Sequence, residues 1–217
     1  MNEYRQKILE FENNIFRIGS ISEGRSILGD RLGEQPVVCE LCSGSGNHIV
    51  ELAKRAQTAP CDDGRIFIGF ELRYKRAYRT IEKAKANNVA ERVLVVSCSA
   101  ELVNVLCDER RLEGVYINFP DPWEKKRSRK HRLLTAEFLA GLSLRIKQGG
   151  FFSLKTDHAE YFNSVLLLLR ENKNFTIVAE TLDLHSSPYI ADNIRTEFEE
   201  MFIRDKQKIC YVRAQVN

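Results

Sequence analysis

Along most of this chain, short apolar runs alternate with stretches of helical periodicity, and that alternation constrains the fold more than any other feature. Apolar runs at 36–41, 65–70, 92–98, 114–119 and 150–155 read as strands, and the segments 47–57, 74–86, 100–107, 133–147 and 160–172 between and after them read as helices. Strands alternating with helices of this length make a parallel sheet joined by crossover helices. Two more apolar runs, 175–184 and 208–214, flank a short acidic segment and complete an α/β fold of about seven strands. Residues 2–18 read as a separate amphipathic helix, with Ile8, Phe11, Ile15 and Ile18 on one face and Gly19 as its stop. The chain shows no internal repeat or linker, so the expectation is one domain over 1–217 with a helical extension at about 1–20.

Composition narrows the partners. A net charge of +3 is too small to bind a polyanion through the whole surface, so such a partner needs a local patch. The segment 125–132 is that patch, with Lys125, Lys126, Arg127, Arg129, Lys130 and Arg132 within eight residues. The first residues lead into a charged amphipathic stretch rather than a signal-peptide pattern, and the longest apolar segment, 165–169, is too short to span a bilayer. A cytoplasmic protein is expected. Cys39 and Cys42 have the spacing of a metal or redox pair, but no second cysteine pair or Cys/His cluster completes a zinc site, so no metal is expected.

The first strand ends in Glu40-Leu41-Cys42-Ser43-Gly44-Ser45-Gly46 and runs into a helix. Gly44 and Gly46 let the backbone turn tightly against a ligand at the carboxyl edge of the sheet. The dinucleotide fingerprint wants a third glycine where this chain has Ile49, and Glu40 inside the turn would repel a pyrophosphate. The second strand ends at Glu71, where a carboxylate can hydrogen-bond a ribose diol. An adenosine carrying positive charge and no phosphates suits both acids, and S-adenosylmethionine is such a molecule.

The fourth strand runs into Asn118-Phe119-Pro120-Asp121-Pro122-Trp123 and then directly into the basic run. One carboxylate held between prolines, followed by an aromatic ring and six cations, suits a flat base carried on a phosphate backbone. Trp123 could stack on a base or anchor the loop. Asp157, after the fifth strand, could meet substrate or cap the next helix. Thr196-x-x-Glu199 has the pattern of a capping box and could also present a polar edge to substrate.

Taken in order, Glu40-x-x-x-Gly44-x-Gly46, Gly69-Phe70-Glu71-Leu72-Arg73, Asn118 to Arg127, Leu154-Lys155-Thr156-Asp157, Leu182-Asp183-Leu184-His185 and Thr196-Glu197-Phe198-Glu199 resemble the motifs of the bacterial tRNA (guanine-N7-)-methyltransferases. The resemblance runs from Glu40 to the C-terminus. It implies a Rossmann-like class I methyltransferase fold, S-adenosylmethionine as cofactor, and tRNA as partner, with the target guanine in the variable loop. It further implies cofactor contacts at Glu40, Gly44, Gly46, Glu71 and Asp121, with Asp121 also the catalytic acid. Substrate contacts fall at Lys125, Asp157, Thr196, Glu197, Phe198 and Glu199, and the RNA loop in the basic run. Ser99 stands where the family has Asp or Asn against the adenine. Glu124 replaces a common proline, and Met201 and Ile203 lie in a stretch that is usually more basic. Two other readings stay open on the same residues: an amino-group nucleic-acid methyltransferase, whose Pro-Pro-aromatic loop the 118–123 segment partly matches, and a non-catalytic tRNA-binding protein on this fold. A monomer and a homodimer are equally compatible with the sequence.

Overall fold

In the computed structural model, which describes residues 3–217, the apolar runs form one eight-stranded sheet. The strands are β1 (Ile15–Arg17), β2 (Val37–Leu41), β3 (Ile66–Phe70), β4 (Val93–Ser97), β5 (Leu112–Asn118), β6 (Ile146–Thr156), β7 (Phe175–Thr181) and β8 (Cys210–Val216). The helices are α1 (Glu3–Lys7), α2 (Ile21–Leu32), α3 (Asn47–Gln57), α4 (Tyr74–Ala86), α5 (Val103–Leu106), α6 (Ala136–Arg145), α7 (Ala159–Glu171) and α8 (Glu197–Arg204). Across the sheet the order is β1-β4-β3-β2-β5-β6-β8-β7. All pairs are parallel as far as β6, and β8 runs antiparallel to both β6 and β7.

Every residue of β2 and β3 is buried, as expected for central parallel strands covered on both faces. One face packs Cys39, Leu41, Val115 and Ile117 against α2, α5, α6 and α7; the other packs Val38, Phe67, Val93 and Val95 against α3 and α4. From β2 the chain builds outward through β3 and β4, then returns to β5 on the opposite side of β2. The crevice beyond the carboxyl ends of β2 and β5 lies where the strand order reverses, which is where open α/β sheets take ligands.

The structure corrects the N-terminal expectation. Asn2 of the predicted 2–18 helix lies outside the described residues; α1 ends at Lys7, a 3-10 turn follows over Ile8–Phe11, and Ile15–Arg17 is an edge strand. Ile15 and Phe16 are both buried, on opposite faces of the sheet, which only an extended backbone allows. Asn14 breaks the helix and donates its amide to the carbonyls of Ala90 and Val93. The sheet therefore has eight strands rather than seven. Helix α2 was not anticipated, although Ser20-x-x-Glu23 marks its start: the Ser20 hydroxyl accepts from the Glu23 N–H and Gly33 ends the helix at φ 46°. The segment 133–147 gives a shorter helix, α6, because Ile146 already belongs to β6. Among the described residues no helix is long and apolar enough to cross a membrane.

Candidate active site

The turn after β2 is built on positive φ. Cys42, Gly44 and Gly46 sit at 57°, 58° and 79°, and Gly46 opens α3 from the left-handed region. A Cβ at Gly46 would run into the Thr80 side chain, whereas one at Gly44 would meet nothing within 4 Å. Gly44 thus leaves its backbone open to the crevice. Glu71 ties this turn to the next one: its Oε2 accepts the Gly44 N–H at 3.0 Å and its Oε1 accepts the Arg73 N–H at 2.8 Å. Burial pushes the Glu71 carboxyl above the usual range, opposed by those two N–H groups and by the Arg76 and Arg73 cations. Each oxygen retains lone-pair capacity for a further donor such as a ribose hydroxyl.

Glu40 is only 2% exposed. Its Oε1 accepts the Asn118 amide at 2.8 Å and lies 3.3 Å from His48 Nδ1, while its Oε2 has no partner among the described residues. A buried carboxylate oxygen without a donor costs about 1–3 kcal/mol or more, so this wall of the crevice is matched to a donor-bearing, cationic ligand. The parallel register explains the Asn118 contact, since Glu40 pairs with Tyr116 and Asn118 lies two residues on, on the same face. Neither Asn118 nor His48 was singled out from sequence. Asn118 belongs to a quoted motif, but its partner is 78 residues away and no local pattern reveals it.

The loop after β5 carries Asp121 at the surface of the crevice, between two left-handed residues, Phe119 at φ 52° and Trp123 at φ 44°. Such conformations cost on the order of 1–3 kcal/mol each outside glycine and persist only where neighbours hold them. Those neighbours are visible. The Phe119 N–H donates to the Lys155 carbonyl at 2.8 Å and its ring lies 5.3 Å from that of Phe202. Arg132 Nε donates to the Pro122 carbonyl at 2.7 Å, with its guanidinium 4.6 Å from the Tyr161 ring. Trp123 stands 5.4 Å from His131 and remains 41% exposed.

These contacts engage part of the basic patch within the protein. Arg132 is a half-buried clamp on the loop and Arg129 pairs with Glu160 at 2.9 Å. Lys125, Lys126, Arg127 and Lys130 are exposed and, among the described residues, make no ion pair. The run from Lys126 to His131 winds into a 3-10 turn that fans these side chains outward.

Two cavities of about 320 and 390 Å³ share Cys42, Arg73, Arg76, Asn118 and Phe198, so they are lobes of one cleft. The first lobe holds Glu40, Gly44, Gly46, Thr196 and Glu197; the second holds Glu71, Ser99, Asp121 and Trp123. Ten of the residues singled out from sequence, Phe198 among them, therefore meet in one place. The Ser99 side chain is half-buried, and its carbonyl accepts the Leu102 N–H at 3.1 Å.

Three of the expected substrate contacts do not line the cleft. Lys125 is exposed beyond the loop, and Asp157 lies past the end of β6. The helix cap offered for Asp157 falls instead to His158, whose Nδ1 accepts the Tyr161 N–H at 3.0 Å. Glu199 is turned inward, fully buried, and takes Lys155 Nζ at 2.6 Å and Asn193 Nδ2 at 2.6 Å. Lys155 also donates to the Asn193 side chain and the Ile194 carbonyl, so all three of its protons are used. Burial pulls this ammonium below the usual lysine range while the Glu199 carboxylate pulls it back up. The Thr196 hydroxyl accepts the Glu199 N–H at 3.1 Å, forming the cap expected from Thr196-x-x-Glu199. The outward members are Glu197, paired with Lys83 at 2.9 Å, and Phe198, 42% exposed beneath Arg76.

A doubly wound sheet with a glycine turn after one central strand, an acid ending the next and an acidic loop across the switch point defines a Rossmann-like, class I methyltransferase. Solved structures share the fold: the 16S rRNA methyltransferase KamB superposes at TM-score 0.63 and 13% identity, covering 88% of this chain and 93% of its own. A geranyl diphosphate C-methyltransferase from Streptomyces coelicolor A3(2), crystallised with S-adenosyl-L-homocysteine, superposes at 0.56 and 16%, covering 90% and 79%. The family model described as "Putative methyltransferase" matches residues 34–212. The tRNA (guanine-N(7)-)-methyltransferase of Bdellovibrio bacteriovorus is 32% identical over 180 residues, covering 83% of this chain and 82% of its own, and that of Geobacillus kaustophilus is 32% identical over 169, covering 78% and 74%. A bifunctional glycosyltransferase/methyltransferase of Fusobacterium nucleatum is 33% identical over 209 residues, and the chain spans 31% of its length. The chain belongs to the tRNA (guanine-N(7)-)-methyltransferase family.

Proposed function

We propose that this chain transfers a methyl group from S-adenosylmethionine to N7 of a guanine in the variable loop of tRNA, and that Glu40, Glu71 and Asp121 surround the reacting groups. The observation that carries the reading is the pair of buried carboxylates flanking an open glycine turn: Glu40 with one oxygen unpartnered, and Glu71 fixed by two backbone N–H groups, on the same cleft as Asp121. These residues fit the cofactor. Glu40 suits its ammonium, Glu71 its ribose diol, Gly44 the close approach of its backbone, and Ser99 a hydrogen bond to the adenine edge.

Bound S-adenosylmethionine supplies the methyl on a sulfonium, and guanine N7 takes it with a lone pair, so no proton is removed at the reacting atom. The protein's work is to hold the partners in line and to place negative charge where positive charge moves. Asp121 accepts hydrogen bonds from the guanine N1 and N2 edge and stabilises the cationic base that forms. The two left-handed residues and the Arg132 clamp fix Asp121 in that orientation. Thr196, Glu197 and Phe198 bound the opposite side of the cleft, and Glu199 supports them from behind through Lys155. Lys125, Lys126, Arg127 and Lys130 hold phosphates and so position the RNA without reading its sequence. The reaction takes place in the cytoplasm.

Purified protein with methyl-labelled S-adenosylmethionine and unmodified tRNA is expected to yield labelled 7-methylguanosine on digestion. Label in any other nucleoside, or none, refutes the reading.

A further inference from the structure

Helix α4 and Arg73 just before it carry a second concentration of positive charge, of which the preceding reading uses only the effect of Arg73 and Arg76 on Glu71. Arg73, Lys75, Arg76 and Arg79 all line the first lobe of the cleft, and among the described residues none of them lies within ion-pair distance of a carboxylate. Other exposed cations are neutralised, as in Arg129–Glu160 and Arg170–Glu180, and further along α4 itself Lys83 pairs with Glu197. The α4 arrangement is costly to the fold. Lys75 and Arg79 are like charges at i,i+4, Arg76 and Arg79 at i,i+3, and the first turn of α4 has no acidic residue while it bears cations at the positive end of the helix dipole. A merely solvated face would not need that concentration.

The sheet order says what such a face can meet. The loop after β5 and α4 after β3 arise from the two neighbours of β2, roughly 10 Å apart at their bases. The loop that leads into the basic run and the α4 cations therefore rise on opposite sides of the cleft, with the basic run lying beyond that loop. Between them stand two exposed rings, Trp123 at 41% and Phe198 at 42%, the latter 5.9 Å from the Arg76 guanidinium. Exposed aromatics between cationic banks are suited to an unstacked nucleotide whose backbone continues in both directions.

We propose that the exposed face of α4, centred on Lys75 and Arg79, grips the phosphate backbone on one side of the target nucleotide while Lys125 to Lys130 grips it on the other. The inference rests on the reading of tRNA as substrate, but its test is a binding measurement independent of turnover. The double variant Lys75→Gln/Arg79→Gln removes two charges from an exposed face and relieves the like-charge contacts, so it folds.

Binding of fluorescent tRNA is measured against salt concentration for wild type and variant, alongside calorimetry with S-adenosylmethionine. Two lost phosphate contacts flatten the log–log salt dependence by about 1.4 to 1.8, which corresponds to about 25- to 60-fold weaker binding at 0.1 M salt relative to a 1 M reference. Cofactor affinity is expected to stay unchanged. An unchanged salt slope overturns the proposal and makes the α4 face solvated surface. Weaker cofactor binding with intact tRNA binding also overturns it and assigns these cations to the cofactor's carboxylate. If wild-type protein methylates no tRNA guanine yet the variant's slope falls, the reaction assigned above fails and the RNA surface stands.

Discussion

Breaking the buried pair Lys155–Glu199 is expected to damage the fold far more than removing the pair entirely. Lys155 Nζ lies 2.6 Å from Glu199 Oε2, with side chains 4% and 0% exposed. At an effective dielectric of about 20 their attraction is about 6 kcal/mol, against a desolvation cost of several kcal/mol per ion. The pair is close to balanced, but either partner alone is not. Lys155→Met leaves a buried carboxylate with Asn193 and His185 for company, and Glu199→Leu leaves a buried ammonium with only the Asn193 and Ile194 oxygens. Each single variant is expected to lose about 3–5 kcal/mol. At about 2–4 °C per kcal/mol for a chain of this size, that lowers Tm by roughly 6–20 °C. The double variant Lys155→Met/Glu199→Leu forfeits the contacts to Asn193, Ile194 and His185, a cost of about 1–3 kcal/mol. Urea denaturation of the four proteins measures this directly. Single variants that each cost under about 1 kcal/mol, or a double variant equal to their sum, would refute the account of a coupled buried pair.

Asp121→Asn should reduce methyl transfer to background while calorimetry with S-adenosylmethionine and tRNA binding stay near wild type; near-normal turnover would remove Asp121 from the reaction. Cys42 is exposed at the cleft, yet burial of its sulfur, with Glu71, Asp121 and Glu40 nearby, pushes its thiol up to about 12. A raised pKa keeps the neutral thiol, so at pH 8 only about one molecule in ten thousand is thiolate, against roughly a quarter for an ordinary exposed cysteine. Alkylation followed by peptide mass spectrometry should therefore label Cys42 in the native protein at least a hundredfold more slowly than in the urea-unfolded protein at pH 8, and the native Cys42 rate should rise about tenfold per pH unit. Comparable rates at pH 8 would contradict that environment.

The central strands, the glycine turn, the acid ending β3 and the cap at Thr196 were legible in the sequence, because each is a local pattern with a local cause. What was not legible depends on distant partners. Residues 8, 11, 15 and 18 have helical spacing, but Ile15 and Phe16 find buried sites on both faces of an edge position that only the finished sheet supplies. Arg132 looks like one more cation in a run until Tyr161 and the Pro122 carbonyl claim it. Glu199 satisfies the same capping pattern whether it faces substrate or core; Lys155, 44 residues away, decides the matter. His158 caps α7 through a ring nitrogen, a role that residue preferences assign to its neighbour Asp157.

Strand β1 is only three residues long, yet it occupies one rim of the sheet beside β4, whose sequence is Val93-Leu94-Val95-Val96-Ser97. Without it, a strand with three valines in five residues would present unpaired N–H and C=O groups to solvent, the arrangement that templates strand addition between molecules. The N-terminal arm thus serves as an edge guard as well as a cover for α4. A chain beginning after Gly19 would keep every residue of the cleft and still face a solubility problem, since its most apolar exposed edge would be open to pair with a second copy of itself.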